Sequence, residues 1–472
     1  MLLVNSTMLR KFLKSKNLAF SILFIATCLN ASAQDNSPYS RYGLGNQAPT
    51  TNVANRGMGG IAAAYNDVYT VNYANPSSYA FFQSNQEANS KKLNSGRVTF
   101  NIGADAIGRT LTDQKAQAKF TSTNIVFSHV MMGVPLRKNW GMAFGLRPLT
   151  SIYYKIQDNG PKFDPHSGKL IDSTNTLYEG QGGVYLGSVG TGVKFKTGKS
   201  QYLSLGVNAG YMFGSKDYNS RISFINDSIR YASGNFESKL GIKGFYFDAG
   251  MQYHFKANDK IFVGVGAYGN WKQKINTNNN SVSETYSYSS DAGYVSIDTA
   301  YHNSNDKGSL IYPSSVTAGI SIQKANIEGN EAGWLIGADF TRNNWNKFRL
   351  NGERDLAIKS NWQAKFGAEF RPAAKKSYLS STLYRVGFYT GPDYIYAKQT
   401  EIPVYGVTAG VGLPLFNYNM QARYQASMIN LGFEYVKRGN KSNILSENLY
   451  RLSVGFSLTD LWFIGKTKYF ED

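Results

Sequence analysis

The glycines at positions 264, 266 and 269 have the spacing of a dinucleotide-binding fingerprint. Such a fingerprint binds pyrophosphate because it ends a strand and opens a helix, whose N-terminal N–H groups face the anion. Here Gly264, Gly266 and Gly269 lie inside a run that reads as one continuous strand, so no helix can begin there. We therefore interpret them as small residues of a strand and not as a cofactor site.

Histidine, cysteine and serine could serve metal binding or acyl transfer. The four histidines, His129, His166, His254 and His302, have no partner four residues away and no acidic residue at metal-ligand spacing. Cys28 is the only cysteine, and no serine is set apart by a histidine and an acid. The sequence therefore predicts neither an enzyme nor a metal site, and it predicts no cofactor.

The first segment has the pattern of an export signal. Basic residues between positions 10 and 16 precede a mostly apolar stretch over 18–29, and Ala31-Ser32-Ala33 follows. This order predicts a cleaved signal peptide over residues 1–33. The apolar stretch is too short to cross ~30 Å of hydrocarbon as a helix. Cys28 lies within the segment, so the mature chain would contain no cysteine and no disulfide.

The composition suits strands in a membrane. The chain has 33 Tyr and 28 Phe, and only 17% of its residues are charged. Aromatic residues favour strands and the interfacial girdles of membrane barrels. The formal net charge is +19, which suits an anionic lipid surface better than nucleic acid in an exported protein. We expect outer-membrane lipid and lipopolysaccharide as neighbours, and no nucleic acid as a partner.

Apolar and polar residues alternate over about ten positions, again and again along the chain. Within residues 356–371, Trp362 and Phe366 share one face while Lys365 and Glu369 share the other. No later stretch reaches the eighteen consecutive apolar residues that a membrane helix needs. A soluble, secreted all-β protein is the alternative, but the apolar faces lack the charge that a water-facing surface would carry.

Fourteen such segments follow one another. They are centred near residues 102, 127, 147, 187, 208, 246, 267, 316, 338, 363, 387, 407, 430 and 456. The sequence predicts short turns at 137–139, 197–200, 256–259 and 371–377, and long polar loops at 157–180, 215–235, 276–308 and 437–448. Short periplasmic turns and long external loops are typical of outer-membrane barrels. Closure also removes the edges of so large a sheet.

The sequence thus predicts an all-β fold, a fourteen-stranded antiparallel transmembrane β-barrel over residues 96–464, in the cell outer membrane. A tail follows over 465–472, and both chain ends are expected on the periplasmic side. Between Glu237 and Phe255 the apolar face changes near Gly244, which predicts a β-bulge or a lumen-facing aromatic cluster.

Charged residues on the strands are expected to face the lumen. A Lys or Arg on the lipid face at mid-membrane would cost about 2–4 kcal/mol. The set comprises Lys239, Lys243, Lys359, Lys365, Glu369, Arg371, Arg423, Glu434 and Arg451.

Residues 34–95 do not alternate. They are rich in small and turn-forming residues, as in SPYSRYGLG at 37–45 and NYANPSSY at 72–79. Glycine permits backbone conformations closed to other residues, and Asn-Pro fixes a turn. We expect this segment to pack inside the lumen as a plug that blocks free diffusion.

The segment resembles the plug, or hatch, of the FadL-like family of outer-membrane transport proteins for hydrophobic compounds. Members have an R-G-x-G-G-like element, then an acidic residue, then Asn-Pro-Ala before the barrel. The matching residues here are Arg56, Gly57, Gly59, Gly60, Asp67, Asn75 and Pro76. Ser77 replaces the usual alanine. The strand number and the ending RLSVGFSLTDLWF agree with the family over most of the chain.

The resemblance implies that ligand enters from outside, passes a shift in the plug and leaves sideways through a gap at a kinked third strand. Pro148 lies in the third predicted strand, where proline removes a hydrogen-bond donor from the ladder. A lateral opening beside Pro148 and an ordinary bulge at the rim both remain open.

Two functions follow from the resemblance. The first is plug-gated passive uptake of a hydrophobic or amphipathic small-molecule ligand. The second is a non-transporting accessory barrel subunit of an outer-membrane secretion or assembly machine, with protein partners bound through its external loops. A continuous apolar tunnel to the wall would favour uptake, and a sealed wall with an apolar patch outside the membrane would favour the accessory role.

Overall fold

A computed structural model describes residues 36–86, 93–115, 117–164, 166–225, 231–289, 291, 293–324, 331–373, 377–415 and 427–462. The predicted signal peptide and the tail over 465–472 lie outside these residues. Within the described residues, fourteen strands pair in sequence order into one antiparallel sheet. The last strand pairs with the first, as at Gly455 and Gly103, so the sheet closes. The predicted fourteen-stranded barrel is confirmed.

The wall strands are β1 (Leu93–Asp113), β2 (Lys119–Arg137), β3 (Trp140–Phe163), β4 (Leu170–Gly198), β5 (Gln201–Phe224), β6 (Ser233–Lys256), β7 (Ile261–Asn270 continued by Gln273–Ser289), β8 (Gly293–Tyr312 continued by Ser315–Lys324), β9 (Gly333–Asn343), β10 (Asn361–Arg371), β11 (Leu383–Pro392), β12 (Pro403–Leu415), β13 (Ser427–Arg438) and β14 (Leu445–Trp462). Each predicted centre falls within one of them, in order.

Short elements complete the fold. A four-residue α-helix, Val53–Arg56, and the 3-10 helices Pro38–Arg41 and Pro76–Phe81 lie in the N-terminal segment. The short strand Asn46–Gln47 pairs with β3, and Ser84–Gln86 pairs with β1. The loops carry the strand Arg349–Leu350 and the 3-10 helices Trp345–Lys347, Tyr378–Ser381 and Ala397–Gln399. No helix in the described part of the chain is long and apolar enough to cross a membrane.

Successive side chains along each strand point alternately to the outer surface and to the lumen, as expected for a barrel. On β10, Phe366 and Phe370 are exposed on the outer face, whereas Lys365, the residue before Phe366, is buried on the inner face. The outer aromatic residues face lipid, because lipid replaces water as the solvent of that surface.

Three of the predicted long loops are mostly strand, so that prediction is wrong. β3 continues to Phe163 and β4 begins at Leu170, while β5 and β6 extend similarly through Phe224 and from Ser233. β7 ends only at Ser289, and β8 already begins at Gly293. The Thr and Tyr residues of these stretches are polar but favour strands, so the sheet extends beyond the membrane. We call the extended part of β3–β8 the external sheet.

The change of apolar face near Gly244 is not a bulge. β5 and β6 stay in register from Gln201 opposite Phe255 to Ile222 opposite Gly234. Above Gly244 the apolar Leu240 and Ile242 face inward; below it Phe245, 69% exposed, faces outward. The change marks the level at which β6 leaves the lipid. Of the nearby aromatic residues, Tyr246 faces inward, and its ring centroid lies 5.7 Å from that of Tyr312.

The two described chain ends lie at opposite ends of the barrel. The backbone N–H of Asn36 donates to Ser122 Oγ at 3.3 Å, and its side chain donates to the Lys155 carbonyl, both beside the external sheet. Trp462 pairs with Gly96 at the end where the short turns lie. The chain ends themselves, predicted on the periplasmic side, lie outside the described residues.

Candidate functional site

The N-terminal segment lies within the ring of strands. It hydrogen bonds with inward side chains from well-separated strands: Asp105 on β1, Gln252 on β6, Asp339 on β9 and Thr408 on β12. Most of residues 51–65 and 70–82 are buried. Because these strands lie around a closed sheet, only a segment inside the ring can reach all of them.

Arg56 anchors the segment to β1 and β2. Its Nη1 lies 2.6 Å from Asp105 Oδ2, and its Nη2 donates to Ser128 Oγ at 2.8 Å. The Arg56 and Asp105 side chains are only 6% and 2% exposed. A buried charge is tolerated only when it is paired and hydrogen-bonded, so each of the two residues depends on the other.

Gly57, Gly59 and Gly60 form a turn against β10–β12. The Gly59 N–H donates to Thr408 Oγ1 at 2.8 Å, and the Thr408 hydroxyl donates to the Gly57 carbonyl at 3.1 Å. Gly59 and Gly60 have φ angles of +66° and +80°, a region that favours glycine. A Cβ on Gly59 would lie 2.6 Å from the Phe366 carbonyl oxygen. Both conformation and space therefore require glycine at position 59.

Asn75 and Pro76 start the second 3-10 helix. The Asn75 Oδ1 accepts from the Ser77 N–H at 3.2 Å, and its Nδ2 donates to the Ala63 carbonyl at 2.7 Å. Pro76 occupies the first helical position, where its missing donor is not needed. Ser77, the departure from the family pattern, adds a hydrogen bond from its hydroxyl to Asn75 Oδ1 at 2.8 Å.

Asp67 folds the segment upon itself. Its Oδ1 accepts from the Tyr69 N–H at 3.1 Å, and its Oδ2 accepts from the Thr70 hydroxyl at 3.0 Å. Burial raises the pKa of the Asp67 carboxyl, and the nearby Glu369 adds to the effect. These bonds make Asp67 a turn-forming residue of the segment.

Glycines of the wall face the segment around most of the barrel. A Cβ built on any of ten of them would lie less than 3.0 Å from an atom of the segment, for example 2.0 Å from the Tyr79 carbonyl at Gly141 and 2.0 Å from the Gly59 nitrogen at Gly387. We call this set the glycine belt. It comprises Gly133, Gly141, Gly192, Gly206, Gly250, Gly266, Gly337, Gly367, Gly387 and Gly455. The segment occupies the space that side chains would otherwise fill.

The β2–β3 pairing ends close to Pro148. It runs from Arg137 opposite Trp140 to Val130 opposite Leu146. Just beyond, the register between β3 and β4 shifts by one residue between Pro148 and Thr150. The free edge of β3 instead pairs with the short strand Asn46–Gln47 of the segment. The structure thus places Pro148 at both a gap between neighbouring strands and a bulge.

A cavity of about 630 Å³ lies between this gap and the far wall. At the gap it is lined by Ile125, Phe127, Pro148 and Tyr185, and its opposite side is formed by β10–β14. The far side carries charged residues among apolar side chains such as Val404, Val436 and Leu449. Four ion pairs line the cavity: Arg56–Asp105, Arg109–Glu447 and Arg438–Asp393, each at 2.6 Å, and Arg451–Glu434.

The strand charges divide between lumen and surface. Lys365, Glu369, Glu434 and Arg451 face the lumen as expected. Arg371 is half-buried and pairs with the lumen-facing Glu369 at 3.7 Å. Lys239, Lys243 and Lys359 are exposed instead. Their prediction is wrong because they lie beyond the lipid band, where alternation no longer separates lipid from lumen. Arg423 lies outside the described residues.

Sequence reasoning missed the wall partners of the segment. Asp105, Asp339 and Thr408 were not singled out, because their role depends on contacts between residues far apart in the chain. The glycine belt left one signal, the 47 glycines of the chain, many of them within alternating runs. Gly266, which completes the false dinucleotide fingerprint, is a belt residue whose added Cβ would meet the Ala63 carbonyl at 1.9 Å.

A family model described as BamG matches residues 8–469. The chain belongs to the BamG family. No curated protein sequence matches it. Among solved structures, the BamG-family barrel is similar to the toluene transporter TodX of Pseudomonas putida. The two are 14% identical, the match covers 88% of this chain and 98% of that chain, and the TM-score is 0.50.

A FadL homologue of Pseudomonas aeruginosa is 12% identical, with 89% of this chain and 100% of that chain covered and a TM-score of 0.49. At such identities the likeness to the TodX structure shows a shared fold. The BamG-family barrel therefore has the fold of the FadL-like barrels.

Proposed function

We propose that this BamG-family barrel is a non-transporting accessory subunit of an outer-membrane secretion or assembly machine, which binds partner proteins through its external sheet. The observation that carries the proposal is the exposure of large apolar side chains on that sheet, outside the lipid. Ile297 is 64% exposed, and Phe163, Leu170 and Tyr294 are also exposed. Apolar patches in water mark protein-binding surfaces.

The β7–β8 end of the external sheet has the properties of a docking surface. The external part of β8, Gly293–Tyr312, pairs with β7 along one edge. Along its other edge it pairs, within the described residues, only at Leu310 and Ile311, so most of that edge is open. Residues 276–306 contain four acidic residues and no Lys or Arg, in a chain of net charge +19. An acidic edge with apolar side chains fits a partner that carries basic and apolar groups.

Three register shifts interrupt the β7–β8 pairing. Bulges of this kind protect an exposed edge from pairing with a copy of itself. The surface is therefore suited to a specific partner rather than to self-association.

The lumen supports the same assignment. The segment is held by backbone contact with the glycine belt and by the buried Arg56–Asp105 pair. The cavity beyond it is lined by four ion pairs as well as by apolar side chains, so a neutral hydrocarbon would have to pass buried charge. Membership of the BamG family is in keeping with an accessory role.

One observation favours a second candidate, plug-gated passive uptake of hydrophobic or amphipathic molecules. The cavity reaches the wall where the β2–β3 pairing ends, beside Ile125, Phe127 and Pro148. A lateral opening at Pro148 would join the cavity to the lipid. Asn36 bridges β2 and β3 at the outer end of this gap and would have to move.

Site-specific photo-crosslinking in intact cells tests the proposal. A photoreactive residue at Ile297 probes the external sheet, and one at Val386, an exposed residue of β11, is the matched control. We expect a protein adduct of defined mass at Ile297 and none at Val386. No adduct at Ile297 would contradict the accessory role.

Uptake is measured in parallel. Proteoliposomes that contain the full chain, or its Pro148→Ala variant, are supplied with a neutral aromatic tracer such as toluene. Uptake above that of protein-free liposomes, reduced in the variant, would favour the second candidate.

A further inference from the structure

The β6–β7 ladder is interrupted at the level where β6 leaves the lipid. On β6, one stretch of pairing ends at Lys243, and the next begins at Ala249. The Gln273 side chain spans the interruption: its Oε1 accepts from the Phe247 N–H at 2.8 Å, and its Nε2 donates to the Phe247 carbonyl at 2.9 Å. The wall is therefore closed here by a side chain rather than by a backbone ladder. A pocket of about 450 Å³ lies on its outer face, and we call it the β6–β7 pocket.

Aromatic rings form the apolar part of the β6–β7 pocket. Tyr211, Phe245, Phe247 and Trp271 line it and are all exposed on the outer face. The ring centroids of Tyr211 and Phe245 lie 5.6 Å apart, and those of Phe247 and Trp271 lie 6.3 Å apart. Phe245 and Phe247 join the two pairs at 6.4 Å. A continuous row of rings at the lipid boundary is a surface against which acyl chains can pack.

Three lysines border these rings. Lys243 lies on β6 at the start of the external sheet, and Lys272 and Lys274 lie where β7 begins its external part. All three are exposed, and none forms an ion pair within the part of the chain that the structure describes. Lys239, by contrast, pairs with Asp217 at 3.6 Å. The pocket thus combines three positive charges that lack a paired acid with an apolar surface.

We propose that the β6–β7 pocket binds lipopolysaccharide of the outer leaflet, with its phosphate groups on the three lysines and its acyl chains against the rings. Basic pockets beside a membrane bind anionic lipid head groups, and an ammonium forms strong charge-assisted hydrogen bonds with phosphate. The charged and apolar parts of the pocket meet where β6 leaves the lipid. At that level the phosphates of an outer-leaflet lipid join its acyl chains. A free phosphate ion would use the lysines alone and leave the rings without a partner.

The inference does not depend on the choice between the accessory role and uptake. It needs only that the barrel lies in the outer membrane, which both functions require. The β6–β7 pocket shares no lining residue with the lumenal cavity and does not include Ile297. Crosslinking at Ile297 and tracer uptake can therefore fail without affecting the test of this pocket, and the converse also holds.

Titration of the full chain in neutral detergent, read by native mass spectrometry, tests the site. The probes are lipid A, which is the phosphate-bearing anchor of lipopolysaccharide, its dephosphorylated form, and inorganic phosphate. Each lysine beside an anionic lipid contributes about fivefold in affinity, so we expect lipid A to bind roughly a hundredfold more tightly than its dephosphorylated form. Inorganic phosphate should not displace lipid A, because it makes no contact with the rings.

Replacement of the three lysines locates the effect. The triple variant Lys243→Gln, Lys272→Gln, Lys274→Gln should bind the two forms of lipid A equally, and the corresponding triple arginine variant should retain most of the preference. The matched control changes the net charge equally by replacing three exposed lysines of the loops at the same end of the barrel, Lys359→Gln, Lys398→Gln and Lys441→Gln. Its preference for lipid A should equal that of the unmodified protein.

Heat-modifiable mobility in gels shows that each variant is folded. Equal binding of the two forms of lipid A by the unmodified protein, or binding of neither, would overturn the proposal. So would a preference that persists in the glutamine variant, is lost in the arginine variant, or falls as far in the control. Displacement of lipid A by inorganic phosphate would also overturn it, because the pocket would then be a site for a free anion.

Discussion

Removal of the Asp105 carboxylate should release the N-terminal segment from β1. The Asp105→Leu variant leaves Arg56 charged, buried and without its 2.6 Å partner. Loss of one member of a buried ion pair costs about 3–5 kcal/mol. Arg56 keeps its hydrogen bond to Ser128, so we expect the lower end, about 3 kcal/mol.

This cost should appear as local opening of the segment. Since about 1.4 kcal/mol corresponds to a tenfold change in an equilibrium, the open fraction should rise by roughly two orders of magnitude. Amide hydrogen exchange of residues 53–65, followed by mass spectrometry in detergent, measures this directly. The strands should exchange as in the unmodified protein, because their ladders do not depend on the pair.

A double variant separates the ion pair from packing. Arg56→Met with Asp105→Leu removes both charges, and we expect it to protect residues 53–65 better than Asp105→Leu alone. Glu401→Leu, which breaks the exposed pair with Lys359, should leave exchange unchanged. Unchanged protection in Asp105→Leu, or additive losses in the double variant, would refute the reasoning.

Other contacts of the segment give further predictions for the same exchange measurement. Gly387→Ala places a Cβ 2.0 Å from the Gly59 nitrogen, so the segment must shift and protection should fall. Thr408→Val removes the hydroxyl that bonds the segment twice, and we expect a loss of about 1–3 kcal/mol. Asn75→Ala removes a helix cap and should cost about 1 kcal/mol, with faster exchange over residues 76–81.

Matched changes away from the segment serve as controls. A Cβ on Gly108 meets nothing within 4 Å, so Gly108→Ala should leave protection intact. Thr299→Val, on the exposed part of β8, should behave likewise. If Gly387→Ala exchanges like Gly108→Ala, the glycine belt does not hold the segment. If Thr408→Val exchanges like Thr299→Val, the two hydrogen bonds contribute nothing to docking.

The barrel was predictable because apolar and polar residues alternate along each strand when one face contacts lipid and the other faces the lumen. That rule fails where the strands leave the lipid. Lys239 and Lys243 were therefore assigned to the lumen but are exposed, and residues 276–308 were assigned to a loop but form strands. Polar composition does not distinguish a loop from a strand that faces water on both sides.

The candidate site was only partly predictable. The segment motif identified Arg56 and its glycines, since an unusual backbone leaves a trace in residue types. Asp105 lies 49 residues from its partner Arg56, and Thr408 lies 351 residues from its partner Gly57. Contacts between residues so far apart leave no local pattern in the sequence.

The glycine belt links the wall and the segment as sequences that must change together. A side chain gained at Gly206 would collide with the backbone of Pro76, and one gained at Gly266 would collide with the backbone of Ala63. Conversely, a change in the path of the segment would leave the glycines of the wall without a packing partner. A wall from one BamG-family member combined with the N-terminal segment of another should therefore assemble poorly, unless both carry the same pattern of small residues. Chimeras must exchange the segment and its facing strands as one unit.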